Sequence, residues 1–304
     1  MIGPDSHPRI SECTTKRKKT KEAELKMRKI IINLDCALDS VFHDPDDSLA
    51  LLYLLLHKQE YEVTAITTTY GNTSEEGVYQ SVKRLLDLTG YTVPIVRGAR
   101  SQADIPYRLI QFFQQLHPTN DLTLLSTGPL TNLALLPPAQ LAAFRNFYLM
   151  GGAFQVRGNC FPSFTAEFNV HKDPAAMKYV LRTRKTDIIP LDATTRVCLP
   201  KDAINTLSGR WPWLGRKIQR WSVANKLRFR KGPIPHDLIA ALAVGHPELF
   251  QVQESSIALM GSQTRLTEPT AGILMHRIYR LEHTTPFYAF LRKEFTQYIA
   301  EHTD

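Results

Sequence analysis

From residue 29 onward, short apolar runs rich in β-branched residues alternate with leucine- and alanine-rich amphipathic stretches. Lys29-Ile30-Ile31-Ile32-Asn33-Leu34-Asp35 reads as a buried strand, and the leucine-rich stretch 48–57 as a helix. Residues 61–69 predict a second strand, and 74–89 a helix with apolar positions at 78, 82, 85 and 86. A short strand at 93–96, a strand at 122–125, a helix from Leu130, a strand at 147–150, a helix near 173–181 and a strand at 187–191 continue the series. This alternation predicts right-handed β-α-β units: an α/β fold of Rossmann-like type, with a mostly parallel central sheet flanked by helices. Such sheets bind ligands beyond the carboxyl ends of their strands. The polar clusters fall there: Asp35 after the first strand, Gly71-Asn72 after the second, then Thr127-Gly128 and Gly151-Gly152.

Residues 200–235 break the rhythm with Trp211, Trp213, Trp221 and many Lys and Arg, and suit a covering segment, an oligomer contact or a lid. With 304 residues, 43% hydrophobic and 22% charged, the chain has ordinary globular composition, and one domain over 29–304 is expected. The net charge of +8 is unevenly placed: residues 1–29 hold nine Lys or Arg against four Asp or Glu. The remainder is close to neutral, so residues 1–28 are expected to be a basic, disordered tail, and no nucleic-acid partner is expected. The tail has no long apolar run that would make it a secretory signal, and no stretch has the roughly 18 apolar residues that span a bilayer. Cys13, Cys36, Cys160 and Cys198 are far apart and form no C-x-x-C pair. A cytoplasmic protein without membrane attachment is the expectation.

The loop after the first strand carries Asp35, Asp39, Asp44, Asp46 and Asp47, five carboxylates in 13 positions between two apolar elements. Their mutual repulsion needs solvent, a helix N-terminus or a cation. A helix N-terminus contributes only about 0.3–1 kcal/mol per charge. Taken alone, the loop suits either a hard, oxygen-ligated metal or an exposed acidic helix cap.

Four further pieces follow in order. These are Thr127-Gly128-Pro129-Leu130-Thr131-Asn132, Met150-Gly151-Gly152-Ala153-Phe154 with Arg157-Gly158-Asn159, Ala166-Glu167-Phe168-Asn169, and Pro235-His236-Asp237 opening an alanine-rich helix. Together with the acidic loop they resemble the inosine–uridine preferring nucleoside hydrolase family over nearly the whole chain from residue 29. The resemblance implies a calcium-dependent N-ribohydrolase that splits ribonucleosides into ribose and free base, commonly as a homodimer or homotetramer. It implies Asp35 as calcium ligand and as the base toward the attacking water. Asp47, the Thr127 main-chain carbonyl and Asp237 are the other implied calcium ligands. By the same resemblance Asp46, Asn72, Asn159, Glu167 and Asn169 bind the ribose, Met150 lines the pocket, and His236 protonates the departing base. No phosphate-binding G-x-x-x-x-G-K-[ST] accompanies them, which favours nucleosides over nucleotides.

The chain departs from the family pattern in three places. Its acidic loop is longer than the usual Asp-x-Asp-x-x-x-Asp-Asp, and Asn33 stands where the first acid belongs. A competing register takes Asp39 as the first of the paired acids. Asp46-Asp47 is preferred because Ser48-Leu49-Ala50-Leu51 then continues as the helix after the pair, while His43 and Asp44 come within reach of a metal. Residues 97–121 lack the family's histidine–glycine loop, so that 102–107, or a partner subunit, would have to cover the base. The stretch 200–235 is also shorter than the usual flap. Cys36 sits in the acidic loop with no base placed to activate it, and Asp192 reads as structural. These departures motivate a rival reading, a protein that holds a ribosyl ligand on the same scaffold without turning it over.

Overall fold

The computed structural model describes residues 27–39, 43–116, 121–229, 232–297 and 299. The tail expected at 1–28 lies outside the described residues, apart from Met27 and Arg28. Among the described residues, nine strands form one sheet: β1 (Arg28–Leu34), β2 (Tyr61–Thr68), β3 (Ile95–Val96), β4 (Leu122–Ser126), β5 (Asn146–Met150), β6 (Asp187–Ile189), β7 (Gln251–Met260), β8 (Gln263–Thr267) and β9 (His276–Arg280). Their order across the sheet is β3-β2-β1-β4-β5-β6-β9-β7-β8. The strands from β3 to β9 in this order run parallel, and β7 is antiparallel to both β9 and β8. The mostly parallel α/β sheet expected from the alternating pattern is therefore present.

The helices are α1 (Asp46–Leu56), α2 (Glu75–Thr89), α3 (Tyr107–Gln115), α4 (Thr131–Ala134), α5 (Pro138–Ala143), α6 (Phe168–Lys172), α7 (Pro174–Thr183), α8 (Leu191–Thr194), α9 (Lys201–Arg210), α10 (Pro212–Phe229), α11 (His236–Gly245) and α12 (Thr284–Phe290). The helix expected from Leu130 is one turn long. Pro137 and Pro138 interrupt it, and Pro138 opens α5 at a position that needs no N–H. The strand expected to reach residue 191 ends at Ile189, because Pro190 turns the chain into α8.

Side chains of β1 alternate between two cores, as a pleated strand requires. Ile30, Ile32 and Leu34 face one core with α1, α2, α9 and α11, while Ile31 faces the other with Leu109, Phe113, Leu124 and Val180. Every residue of α1 is buried, as is Asp237–Val244 of α11, and the two helices pack against each other. Each buried leucine or isoleucine there contributes about 1.5–3 kcal/mol. Both helices are apolar all round, the pattern of a helix with no solvent face. Their packing has a chemical consequence: the N-terminus of α1 carries Asp46-Asp47, that of α11 carries His236-Asp237, and the two ends meet at the carboxyl edge of the sheet. Among the described residues, no helix is long and apolar enough to cross a membrane.

Candidate active site

One carboxylate oxygen from each of Asp46, Asp47 and Asp237 lies within 4.8 Å of the others, and all three residues are buried. Asp35, at the end of β1, is 1% exposed and contacts the trio through Asp47. Its Oδ2 accepts the main-chain N–H of Asn72 at 2.6 Å. Burial and repulsion from Asp47 push the Asp35 carboxyl well above the usual range. Burial, with the neighbouring acids, does the same to Asp46 and Asp237. Asp47 is pushed up to about 6 by burial, against the opposing hydrogen bond from Thr127. That bond runs from Thr127 Oγ1 to Asp47 Oδ1 at 2.6 Å, whereas Asp47 Oδ2 is fully buried with no hydrogen-bond partner. An orphaned carboxylate oxygen beside three further buried acids, all oxygen donors, suits a hard divalent cation.

This geometry separates the two registers of the acidic loop. Asp39 is half exposed and is held by Thr73 Oγ1 at 2.8 Å and His43 Nδ1 at 3.2 Å, away from the trio. Asp46, expected only at the sugar, is one of the three clustered acids and also faces the cavity described below. Cys36 is buried, and burial with the nearby acids raises its thiol well above the usual value, so it stays protonated and is no nucleophile. Asp192 accepts the N–H groups of Phe154 at 2.9 Å and Gln155 at 2.7 Å, the structural use expected of it.

The backbone is packed tightly around Asp35. A Cβ on Gly71 would lie 2.0 Å from Asp35 Oδ2, and one on Gly128 would lie 3.0 Å from Oδ1. Beneath it, Asn33 is saturated. Its Nδ2 donates to Ser126 Oγ at 2.9 Å and to the Pro129 carbonyl at 3.2 Å, and its Oδ1 accepts from Thr67 Oγ1 at 3.0 Å and Asn132 Nδ2 at 2.8 Å.

A cavity of about 610 Å³ opens onto Asp46 and Asp237, within the size range of small-molecule sites. Asn72, Thr127, Met150, Asn159, Glu167, Asn169 and His236 all line it. Several of these side chains are already engaged. Asn169 Nδ2 donates to the Thr127 carbonyl at 2.7 Å and the Met150 carbonyl at 3.2 Å. Glu167 caps α6, its carboxylate accepting the N–H groups of Asn169 at 2.9 Å, Val170 at 3.0 Å and Gly152 at 3.2 Å. Asn159 Oδ1 accepts the N–H of Phe168 at 2.8 Å. Asn159, Glu167 and Asn169 are thus held at the start of α6 by the protein's own hydrogen bonds, the preorganisation that a positioning site needs.

His236 Nδ1 lies 2.6 Å from Thr194 Oγ1. Burial pushes its pKa down to about 4, so the imidazole is neutral near pH 7, without the imidazolium fraction that an ordinary histidine would still carry there. Residues 102–107 do not line the cavity. Phe161, Phe164 and Ile234 form its apolar wall instead, with Arg157, His43, Asp44 and Asn225 among its polar lining. Sequence reasoning missed Phe161, Phe164 and Asn225, which lie outside every motif. The polar partner Thr194 was missed too, and so was the contact of Trp221 with Asp44, because each acts through a residue at least 42 positions away.

The model of the family described as inosine-uridine preferring nucleoside hydrolase matches residues 30–277. The non-specific ribonucleoside hydrolase RihC of Salmonella newport is 29% identical over 250 residues, covering 70% of this chain and 79% of the relative. Among solved structures, the purine-preferring ribonucleoside hydrolase from Gardnerella vaginalis superposes with a TM-score of 0.75 at 21% identity, covering 91% of this chain and 99% of the other. The inosine-uridine preferring nucleoside hydrolase from Bacillus anthracis gives 0.67 at 23% identity, with the same coverage of 91% and 99%. A match across nearly the whole sheet, with the motif acids gathered at its carboxyl edge, places the chain in the inosine-uridine preferring nucleoside hydrolase family, whose members hydrolyse N-glycosyl bonds.

Proposed function

We propose that this protein cleaves the N-glycosidic bond of ribonucleosides to ribose and free base, with calcium as its metal. One observation carries the reading: a nucleoside-sized cavity opens onto Asp46 and Asp237, and these cluster with buried Asp47, one of whose oxygens has no hydrogen-bond partner. The residues that would hold the ion are Asp47, Asp237, Asp35 and the Thr127 carbonyl, with Asp46 beside them. When bound, a divalent cation supplies charge that keeps these carboxylates ionised despite burial and makes water beside them more acidic. An all-oxygen donor set favours calcium over softer metals.

Asp35, held by the Asn72 N–H and hemmed in by Gly71 and Gly128, takes the proton of the attacking water. Positive charge develops on the ribose as the bond to the base breaks. The carboxylates of Asp46 and Glu167 face that charge across the cavity. Asn72, Asn159 and Asn169 orient the sugar hydroxyls against the Met150 wall. With Thr194 donating its hydroxyl hydrogen to Nδ1, neutral His236 keeps its own hydrogen on Nε2 and donates a hydrogen bond from it to the departing base without transferring the proton. Phe161 and Phe164 give the base an aromatic wall.

Among the described residues, the Cys36 and Cys198 thiols are free, which supports the cytoplasmic setting included in this reading. Assembly as a homodimer or homotetramer belongs to it as well, and sedimentation of the full chain tests that part.

The test is release of reducing sugar from inosine, uridine, cytidine and adenosine by the purified full chain. Release is expected from at least one of them, to be abolished by EDTA and restored by calcium. Asp35→Asn should lower kcat by about 10²–10⁴-fold, the usual contribution of a general base. Calcium and ribose both bound, with no release from any nucleoside, would overturn the hydrolase reading in favour of a ribosyl-binding protein.

A further inference from the structure

The acids of the long loop are not all answered in the same way. Burial is the strongest influence on Asp35, Asp46 and Asp237, followed by repulsion from Asp47, Asp44 and Asp46 respectively, and among the described residues no ion pair reaches them. The part of the loop just before α1 is instead met by α10. Lys217 Nζ donates to the His43 carbonyl at 3.2 Å, and Trp221 Nε1 donates to Asp44 Oδ1 at 2.6 Å. Lys217, Trp221 and Asn225 follow one another at four-residue spacing, which puts them on one face of a helix. That face is buried, the three residues being 6%, 2% and 7% exposed, and its far end, Asn225, reaches the cavity.

Burying a lysine is unfavourable unless charge or hydrogen bonds offset it. Burial holds the Lys217 ammonium below its ordinary pKa, and the loop offsets part of that: the His43 carbonyl accepts from it, and Asp39 and Asp44 favour its charged form. An indole N–H is a donor only, and a carboxylate is its strongest kind of acceptor. Meanwhile Pro45, the residue that precedes α1, gives the helix no side-chain cap. The chain entering Asp46-Asp47 is therefore held from across the fold, by residues some 170 positions later in sequence.

We propose that Trp221 and Lys217 are positioning residues that pin His43 and Asp44 to α10 and so hold Asp46 and Asp47 in reach of Asp237. The proposal rests on the reading of these acids as cation ligands. It gives the departure at 200–235 a function: the shortened flap serves as a clamp for the lengthened loop.

The experiment titrates calcium chloride into the metal-stripped full chain by calorimetry, for wild type, Trp221→Phe, Asp44→Ala and the double variant. Phenylalanine keeps most of the packing and removes the N–H. Each single variant is expected to weaken calcium affinity about tenfold, the scale of one hydrogen bond to a charged group. The double variant should be no weaker than either single one, since both remove the same contact. Calcium should also change the tryptophan emission of wild type, and that change should vanish in Trp221→Phe although Trp211 and Trp213 remain. Wild-type affinity in the single variants, or losses that multiply in the double, would overturn the clamp. Should Trp221→Phe fail to fold, Asp44→Ala and Lys217→Met decide by the same criterion. Nucleoside turnover with unaltered calcium affinity in the variants refutes the clamp alone. Variants that lose calcium affinity in a protein that turns over no nucleoside refute the hydrolase reading alone.

Discussion

Replacing Gly71 with alanine adds one methyl group at the most crowded point of the site. Had there been space, the change would stabilise the protein by about 0.4–1 kcal/mol, because alanine loses less backbone freedom on folding. There is no space. The new Cβ would sit 2.0 Å from Asp35 Oδ2, 2.7 Å from Cγ and 2.9 Å from Cβ, where ordinary contact begins at 3.4 Å. The Asp35 side chain is short and is itself the obstacle, so it must move by more than about 1 Å, and it cannot do so without losing the Asn72 N–H at 2.6 Å. A displacement of about 1 Å at a reacting group lowers turnover by roughly 10²-fold. Strain and the lost hydrogen bond add a destabilisation of about 1–3 kcal/mol, opposite in sign to the entropy gain. Gly71→Ala should therefore show a kcat for the best nucleoside down by about two orders of magnitude, with a lower melting temperature. A variant that melts at or above wild type, with kcat within threefold, would refute the placement of Asp35 against this backbone.

Further outcomes follow from other sites. Stripping the protein with EDTA should lower its melting temperature, as removal of a ligand of the native state does, and calcium should restore it; no change on scanning calorimetry would argue against a cation among these acids. His276 is buried, with Nδ1 beside Thr186 Oγ1 at 2.8 Å, and burial pushes its pKa down to about 4. The unfolded chain binds that proton more readily, so this contribution is complete above the ordinary value of 6.5 and is lost as pH falls toward 4. His276→Gln should flatten that part of the stability–pH curve, and a curve unchanged between pH 4 and 6.5 in urea titrations would contradict it. Arg97 donates to both oxygens of buried Glu75 at 3.1 Å. Arg97→Ala, which leaves Thr68 Oγ1 as the remaining partner, should cost about 2–3 kcal/mol of stability by denaturant unfolding.

The first two thirds of the sheet were legible in the chain because each strand there is a short apolar run followed by its own helix. The last third was not. β7 is partly exposed along much of its length, and β9 enters the sheet between β6 and β7, out of chain order, by pairings that leave no local periodicity. The acidic site was legible through the family resemblance, which singles out Asp47 and Asp237, while the apolar helix after Asp46-Asp47 selected that pair over Asp39. What α1 and α11 do with one another is a packing fact, and it brings the acids together. Glu167 shows the opposite limit. Its place in a family motif suggests a sugar contact, while its carboxylate also serves three backbone N–H groups, a use that only the local chain path reveals. Trp221 stood out only as one of three tryptophans in a segment that breaks the rhythm; its contact with Asp44 left no local signal, since the two lie 177 positions apart.

The asparagine at position 33 makes reversal toward the more usual acid difficult. Aspartate is nearly the same shape, yet it has no hydrogen to offer the Pro129 carbonyl, which lies 3.2 Å from Asn33 Nδ2 and, as a carbonyl, has none to give in return. Two like-charged oxygens would face each other in a sealed space. An acid at position 33 would therefore fit only if the Thr127–Thr131 turn moved to take the Pro129 carbonyl away from it.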